Sequence, residues 1–206
     1  MRFISQLLGC IASYIYPFSL HKKVSNQITL LYTKWLSREF KNFGKNVIIE
    51  PSIILGGANT ISLGNGVRIG KRTVLAAHST YNGIKYNPSI EIGNNVNIGQ
   101  DSNISCINNI KIANNVLIGR KVMINDNSHG VFERNMLDVP PRLRPLSSKG
   151  SITIDENVWI GEMVCILSGV HIGRGSIIGA GSIVTKDVPP YSLAAGIPAK
   201  IIKQLN

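Results

Sequence analysis

The chain has 206 residues, 44% of them hydrophobic and 16% charged, with 20 Gly and 9 Pro. That balance excludes a disordered polypeptide and points to a turn-dense fold with one substantial core and a small appendage. A formal charge of +11 calls for an anionic partner. With 6% aromatic residues and no recognisable nucleic-acid-binding motif, a phosphorylated cofactor or an anionic membrane surface stands ahead of nucleic acid.

The first stretch, MRFISQLLGCIASYIYPFSL, carries LLGC, which resembles a lipoprotein cleavage box. Few residues precede Cys10, and Ser5 and Gln6 interrupt the apolar run, so an export signal is disfavoured. The segment is also too short and polar for a membrane span. It is read as a helix lying on the body or on the membrane surface. Next, Ile28, Leu31, Tyr32, Trp35, Leu36 and Phe40 form one helical stripe, expected to pack on the body or across a subunit boundary, with Gly44 as terminator. Residues 1–45 are therefore an N-terminal helical segment. Cys10, Cys106 and Cys165 fit no disulfide framework or metal spacing, which points to a reducing compartment. The expected location is the cytoplasm, with a peripheral contact between the basic N-terminal segment and the membrane surface.

Beyond residue 46 a period of six sets in. It is plainest in Ile152, Val158, Val164, Val170, Ser176 and Ser182, with a second register two residues later in Ile154, Ile160, Ile166, Ile172, Ile178 and Val184. The pattern recurs upstream as Leu63-Gly64, Ile69-Gly70, Ile92-Gly93, Ile98-Gly99 and Ile118-Gly119. Six matches neither the 3.6 of a helix nor the two of a lone strand. It matches short strands joined by tight turns, stacked into a solenoid that buries a continuous interior. Residues 46–190 make this mainly β domain. Residues 191–206 form a tail whose PAKIIKQLN is read as a short basic helix.

Two loops interrupt the ladder: HSTYNGIKYNPS at 78–89, and a longer protruding one over 125–150 that contains NDNSHG. A smaller phase slip falls near SNISCINN, residues 102–109. Loops ejected from a rigid solenoid are where functional groups collect. Histidine is the side chain best suited to act as a base near neutral pH. His129 stands where the ladder stops, with Asp126 nearby. His78 opens the first loop, His21 lies in the basic N-terminal segment, and His171 takes an outward ladder position.

The unit [LIV]-[GAED]-x-x-[STAV]-x, the NDNSHG loop, and the run VWIG, IGAGSIVTKDVP and AGIPAKII resemble the hexapeptide-repeat acyltransferases. The likeness is greatest to maltose and galactoside acetyltransferases and to the O-acetyltransferases of capsule and lipopolysaccharide, and it covers residues 60–204. It implies a left-handed parallel β-helix, a homotrimer with active sites between subunits, acetyl-CoA as acyl donor with no metal required, and a sugar or glycan acceptor. Carried onto this chain, His129 would be the general base, and Asp126 would orient its imidazole or, as a plain turn residue, cap its own backbone. Asn103 and Asn108 would meet the acceptor. Trp159, Gly179, Ala180, Thr185, Lys186, Lys200 and Lys203 would contact the cofactor, the lysines through its phosphates.

Other readings are weaker. A zinc-dependent β-helix enzyme needs convergent ligands, and no two histidines here lie at short ligand spacing. An antibiotic (streptogramin-type) O-acetyltransferase and a non-catalytic β-helix binding module remain as alternatives.

Overall fold

The structure, a computed structural model, describes residues 2–205. Two helices, α1 (Arg2–Ile15) and α2 (Phe18–Leu36), precede a parallel β-helix. Its coils lay short strands on three faces. Face A has six strands, from Asn42–Phe43 through Ile61–Leu63, Ser89–Ile92, Asn109–Ile112 and Ile152–Ile154 to His171–Ile172. Face B has eight and includes Arg68–Ile69, Leu117–Ile118, Trp159–Ile160 and Ile177–Ile178; face C has six and includes Val74–Ala77, Asn103–Cys106, Met123–Asn125 and Ile183–Val184. The coil therefore begins inside the segment that the sequence assigns to the N-terminal helices.

The period of six follows from this cross-section. Each strand in the body of the coil turns one or two apolar residues inward, and successive coils place like on like: Ile61, Ile90, Ile110 and Ile152 stand in register on face A, and Ile69, Ile98, Ile118, Ile160 and Ile178 on face B. All of these are essentially fully buried. The corners need left-handed backbone, taken at one of them by Asn46, Asn95, Asn115 and Asn157 with φ between 56° and 60°. Asparagine also links the coils there, since Asn94 Oδ1 accepts from the Asn65 N–H at 2.8 Å and Asn114 Oδ1 from the Asn94 N–H at 2.7 Å. The glycine after the second register has a separate cause. A Cβ at Gly119 would lie 2.7 Å from the Glu162 backbone nitrogen of the next coil, so stacking itself excludes a side chain.

Two expectations change. The tail is not a helix: Ala199–Gln204 is a strand pairing antiparallel with Ser192–Gly196. The β-branched pair Ile201-Ile202 suits a strand, and the pairing covers an edge of face B that a helix would leave open. The α2 stripe also divides. Leu36 and Phe40 are buried and Tyr32 packs against the core, whereas Ile28, Leu31 and Trp35 are 52%, 71% and 71% exposed. The polar residue Thr33 anchors α2 instead, its Oγ1 accepting from the Ile49 N–H at 2.9 Å.

Candidate active site

All three irregularities of the ladder fall at one corner, where the chain leaves face C for face A. Val74–Ala77, Asn103–Cys106 and Met123–Asn125 are neighbouring strands in register, so residues 77, 106 and 126 follow one another up that corner. The first coil ejects a hairpin, Thr80–Tyr81 paired with Ile84–Lys85. The second holds the extra residues Ile107 and Asn108. The third ejects the long loop, which returns so that Ser128–His129 pairs antiparallel with Leu146–Ser147.

The two ejected segments brace each other. The Tyr81 hydroxyl and the Asn82 side-chain amide both donate to the Arg142 carbonyl at 2.8 Å, and the Leu146 N–H donates to the Tyr86 hydroxyl at 2.8 Å. Between them and face C lies a cavity of about 430 Å³ whose lining includes His78, Tyr81, Asn103, Ser105, Asn125, Asn127, His129 and Leu146. A larger hollow of about 690 Å³ lies between α2 and face B, but no histidine or cysteine lines it.

His129 is exposed at the rim, its ring edge-to-face with Tyr81 at 5.4 Å between centroids. Among the described residues no side chain hydrogen-bonds to the imidazole, so both ring nitrogens are open to a ligand. Asn103 and Asn125 project from face C into the cavity, and the Asn127 side-chain amide donates to Ser105 Oγ at 3.2 Å.

Asp126 is fully buried and does not meet the imidazole. Its carboxylate accepts from the backbone N–H groups of Ile107 (2.8 Å) and Asn108 (2.9 Å), from the Cys106 thiol at 3.2 Å and from the Asn127 amide at 3.3 Å. It caps backbone, though that of the neighbouring coil and not of its own turn. Burial, then the adjacent Asp126 charge, pushes the Cys106 thiol far above the usual thiol range.

The remaining expected residues scatter. Asn108 is exposed outside the cavity lining, its N–H committed to Asp126. Trp159, 51% exposed, stands on face B, and Lys200 and Lys203 lie on the last strand of that face. Gly179 and Ala180 turn the corner from B to C, whereas exposed Thr185 and Lys186 follow the last face C strand. Within one chain, then, His129 and Trp159 occupy different faces. Sequence reasoning had noted His78 without a role and missed Tyr81, Ser105, Asn125 and Asn127. The signal available was that both loops begin after the same register of the repeat, which puts them at one corner. Among the described residues no group of three His, Cys, Asp or Glu side chains is placed to hold a metal ion.

Residues 151–186 match the family described as bacterial transferase hexapeptide (six repeats). The galactoside O-acetyltransferase of Escherichia coli (strain K12) is 60% identical over 55 residues, 27% of this chain and 27% of that protein. WbbJ of the same strain, named as a lipopolysaccharide biosynthesis O-acetyl transferase, is 40% identical over 87 residues, 40% of this chain and 44% of that protein. The chain spans less than a third of the length of the first curated relatives it matches. Among solved structures, a hexapeptide-repeat acetyltransferase of Vibrio cholerae complexed with acetyl coenzyme A superimposes with a TM-score of 0.54 at 26% identity, covering 83% of this chain and 74% of that one. AntD, an N-acyltransferase of Bacillus cereus in complex with dTDP and 3-hydroxybutyryl-CoA, reaches a TM-score of 0.67 at 21% identity, covering 84% and 87%, a likeness of fold alone. In its repeat and its stacked coils the chain is similar to hexapeptide-repeat proteins of the bacterial transferase type, with the family match itself confined to residues 151–186.

Proposed function

We propose that the protein transfers an acetyl group from acetyl-CoA to a hydroxyl of a sugar or cell-envelope glycan, with His129 as general base. In this reading the β-helix is left-handed, and three chains assemble with a site at each boundary. The observation that carries the proposal is the exposed imidazole of His129, packed edge-to-face on Tyr81 with no side-chain hydrogen bond among the described residues, over a cavity of about 430 Å³ with asparagine amides on its floor. A sugar hydroxyl is a poor nucleophile near neutral pH. Taking its proton as it attacks contributes about 10²–10⁴-fold.

The acceptor hydroxyl would lie against an imidazole nitrogen, with the amides of Asn103 and Asn125 receiving the neighbouring hydroxyls. Its oxygen attacks the thioester carbonyl while the imidazole takes the proton. The tetrahedral intermediate then collapses, the carbon–sulfur bond breaks, and the imidazolium returns the proton to the departing CoA thiolate. No covalent enzyme intermediate forms, so neither Cys106 nor Cys165 is needed. For the donor, Trp159 would pack on the pantetheine arm beside the small residues Gly179 and Ala180. Thr185, Lys186, Lys200 and Lys203 would hold the nucleotide phosphates. Because Trp159 and His129 stand on different faces of one chain, a site using both draws one of them from a neighbour, which supports the trimer. The O-acetyltransferase names of the relatives similar in the last coils support a hydroxyl acceptor over an amine.

The test follows CoA release from acetyl-CoA over a panel of free sugars, lipid-linked glycans, amino-sugar nucleotides and streptogramins. His129→Ala should lower kcat by about 10²-fold or more with acetyl-CoA binding intact. Unchanged turnover of the preferred acceptor by that variant would remove His129 from the mechanism. Preference for an amine would turn the reading towards N-acylation.

A further inference from the structure

The catalytic reading leaves α1 without a purpose. Successive residues of a helix advance by about 100°, which puts Ile4, Leu7, Leu8, Ile11, Tyr14 and Ile15 on one side and Arg2, Ser5, Gln6, Gly9 and Ser13 on the other. Yet every described side chain of α1 is exposed and none joins the core. Ile4 and Leu8 are each 61% exposed. No helix of the described residues is long and apolar enough to cross a membrane.

We infer that α1 lies in the surface of an anionic bilayer, its apolar face in the acyl region and the turn into α2 against the headgroups. Three observations support this occupant. From residue 2 to residue 38 the chain carries Arg2, Lys22, Lys23, Lys34 and Arg38 and no acidic residue, so the segment complements an anionic surface. The polar face of α1 contains nothing acidic to repel lipid phosphates, and its strong amphipathicity is that of an interfacial helix. The junction is also aromatic. Tyr16 and Phe18 pack on the ring of His21, at 5.7 and 6.1 Å between centroids, beside Lys22 and Lys23. Aromatic rings with adjacent cations suit the boundary between headgroups and acyl chains. A second copy of the chain is the less suitable occupant, because copies meeting through α1 and its turn would bring together Arg2, Lys22 and Lys23 of each, with no acidic residue in that stretch to neutralise them.

Co-sedimentation of the full chain with vesicles tests the inference. Binding should be tight on phosphatidylglycerol mixed with phosphatidylcholine, at least about tenfold weaker on phosphatidylcholine alone, and weakened by salt. Lys22→Ala with Lys23→Ala should weaken binding to the mixed vesicles by about 25-fold, roughly fivefold for each charge near the surface. Leu8→Glu with Ile11→Glu should abolish binding to both vesicle types with melting temperature unchanged, since neither residue touches the core. Equal binding to neutral and anionic vesicles, or retained binding by the Leu8→Glu/Ile11→Glu variant, would overturn the inference. So would a lipid-free oligomer that dissociates only in that variant, which would give the face to another copy of the chain. Acetyl transfer enters none of these readouts.

Discussion

Replacing Asp126 by Asn changes one heavy atom at the best-organised point of the candidate-site corner. The carboxylate takes two backbone N–H groups, at 2.8 and 2.9 Å, in a fully buried position. Hydrogen bonds to a charged acceptor contribute about 1.5–3 kcal/mol each, and a buried donor left unmet costs about 1–3 kcal/mol. The amide of Asn offers only one oxygen, so its NH₂ must face one of the two N–H donors. The loss is about 2–4 kcal/mol, which in a protein of this size lowers the melting temperature by about 4–16 °C. Circular dichroism at fixed protein concentration measures it, the concentration being held because assembly shifts apparent stability. The same loss should appear in the His129→Ala background, additive within about 0.5 kcal/mol, because the two side chains share no contact. A melting temperature within about 1 °C of wild type, together with a rate loss that vanishes in the His129→Ala background, would refute this reasoning. It would return Asp126 to the role of orienting the imidazole.

Two further outcomes concern the cysteines and the cofactor. With burial and Asp126 both raising its pKa, the Cys106 thiol stays protonated at mildly alkaline pH, so native protein should be alkylated at exposed Cys10 and at Cys106 only after unfolding. Mass spectrometry of the alkylated peptides checks this, and rapid labelling of Cys106 in native protein would contradict the buried corner. If Lys200 and Lys203 hold CoA phosphates, Ala variants should raise the KM for acetyl-CoA with little change in kcat, and the effect should fade at 1 M salt, where screening acts within roughly 3 Å. Variants that distinguish acetyl-CoA from its dephospho form as well as wild type does would show that these lysines do not read the 3′-phosphate.

The sequence made the coil legible because each inward position faces one environment. Ile98, Ile118 and Ile160 solve the same packing problem, so the chain repeats its answer. His129 was legible for the opposite reason, as a break in that repetition. What the sequence hid depends on contacts between coils. The partners of Asp126 lie 18 and 19 residues back along the chain, across two extra residues that read only as a phase slip. The separation of Trp159 from His129 within one chain was derivable, since they belong to different hexads of the coil, and it accords with sites between subunits, which the resemblance implies. In the tail, Lys-Ile-Ile-Lys fits a helix or a strand equally well, and the open edge of the Ser192–Gly196 strand decides between them.

The placement of the three irregularities also explains why the ladder stops at a histidine. A perfectly repeating coil gives every outward position a copy above and below it, and so cannot by itself build a unique pocket. Breaking the repeat on three consecutive coils at one corner supplies two walls, the hairpin and the long loop, around the strands of face C. The middle break leaves the Ile107 and Asn108 N–H groups without ladder partners inside the protein, which is costly unless another acceptor reaches them. Asp126 is that acceptor, and it is also the residue from which the long loop departs. The same side chain therefore repairs one break and fixes the origin of the next, three residues before His129. Reversing the roles would fail: a histidine at position 126 could offer one acceptor nitrogen where two N–H groups and a thiol converge.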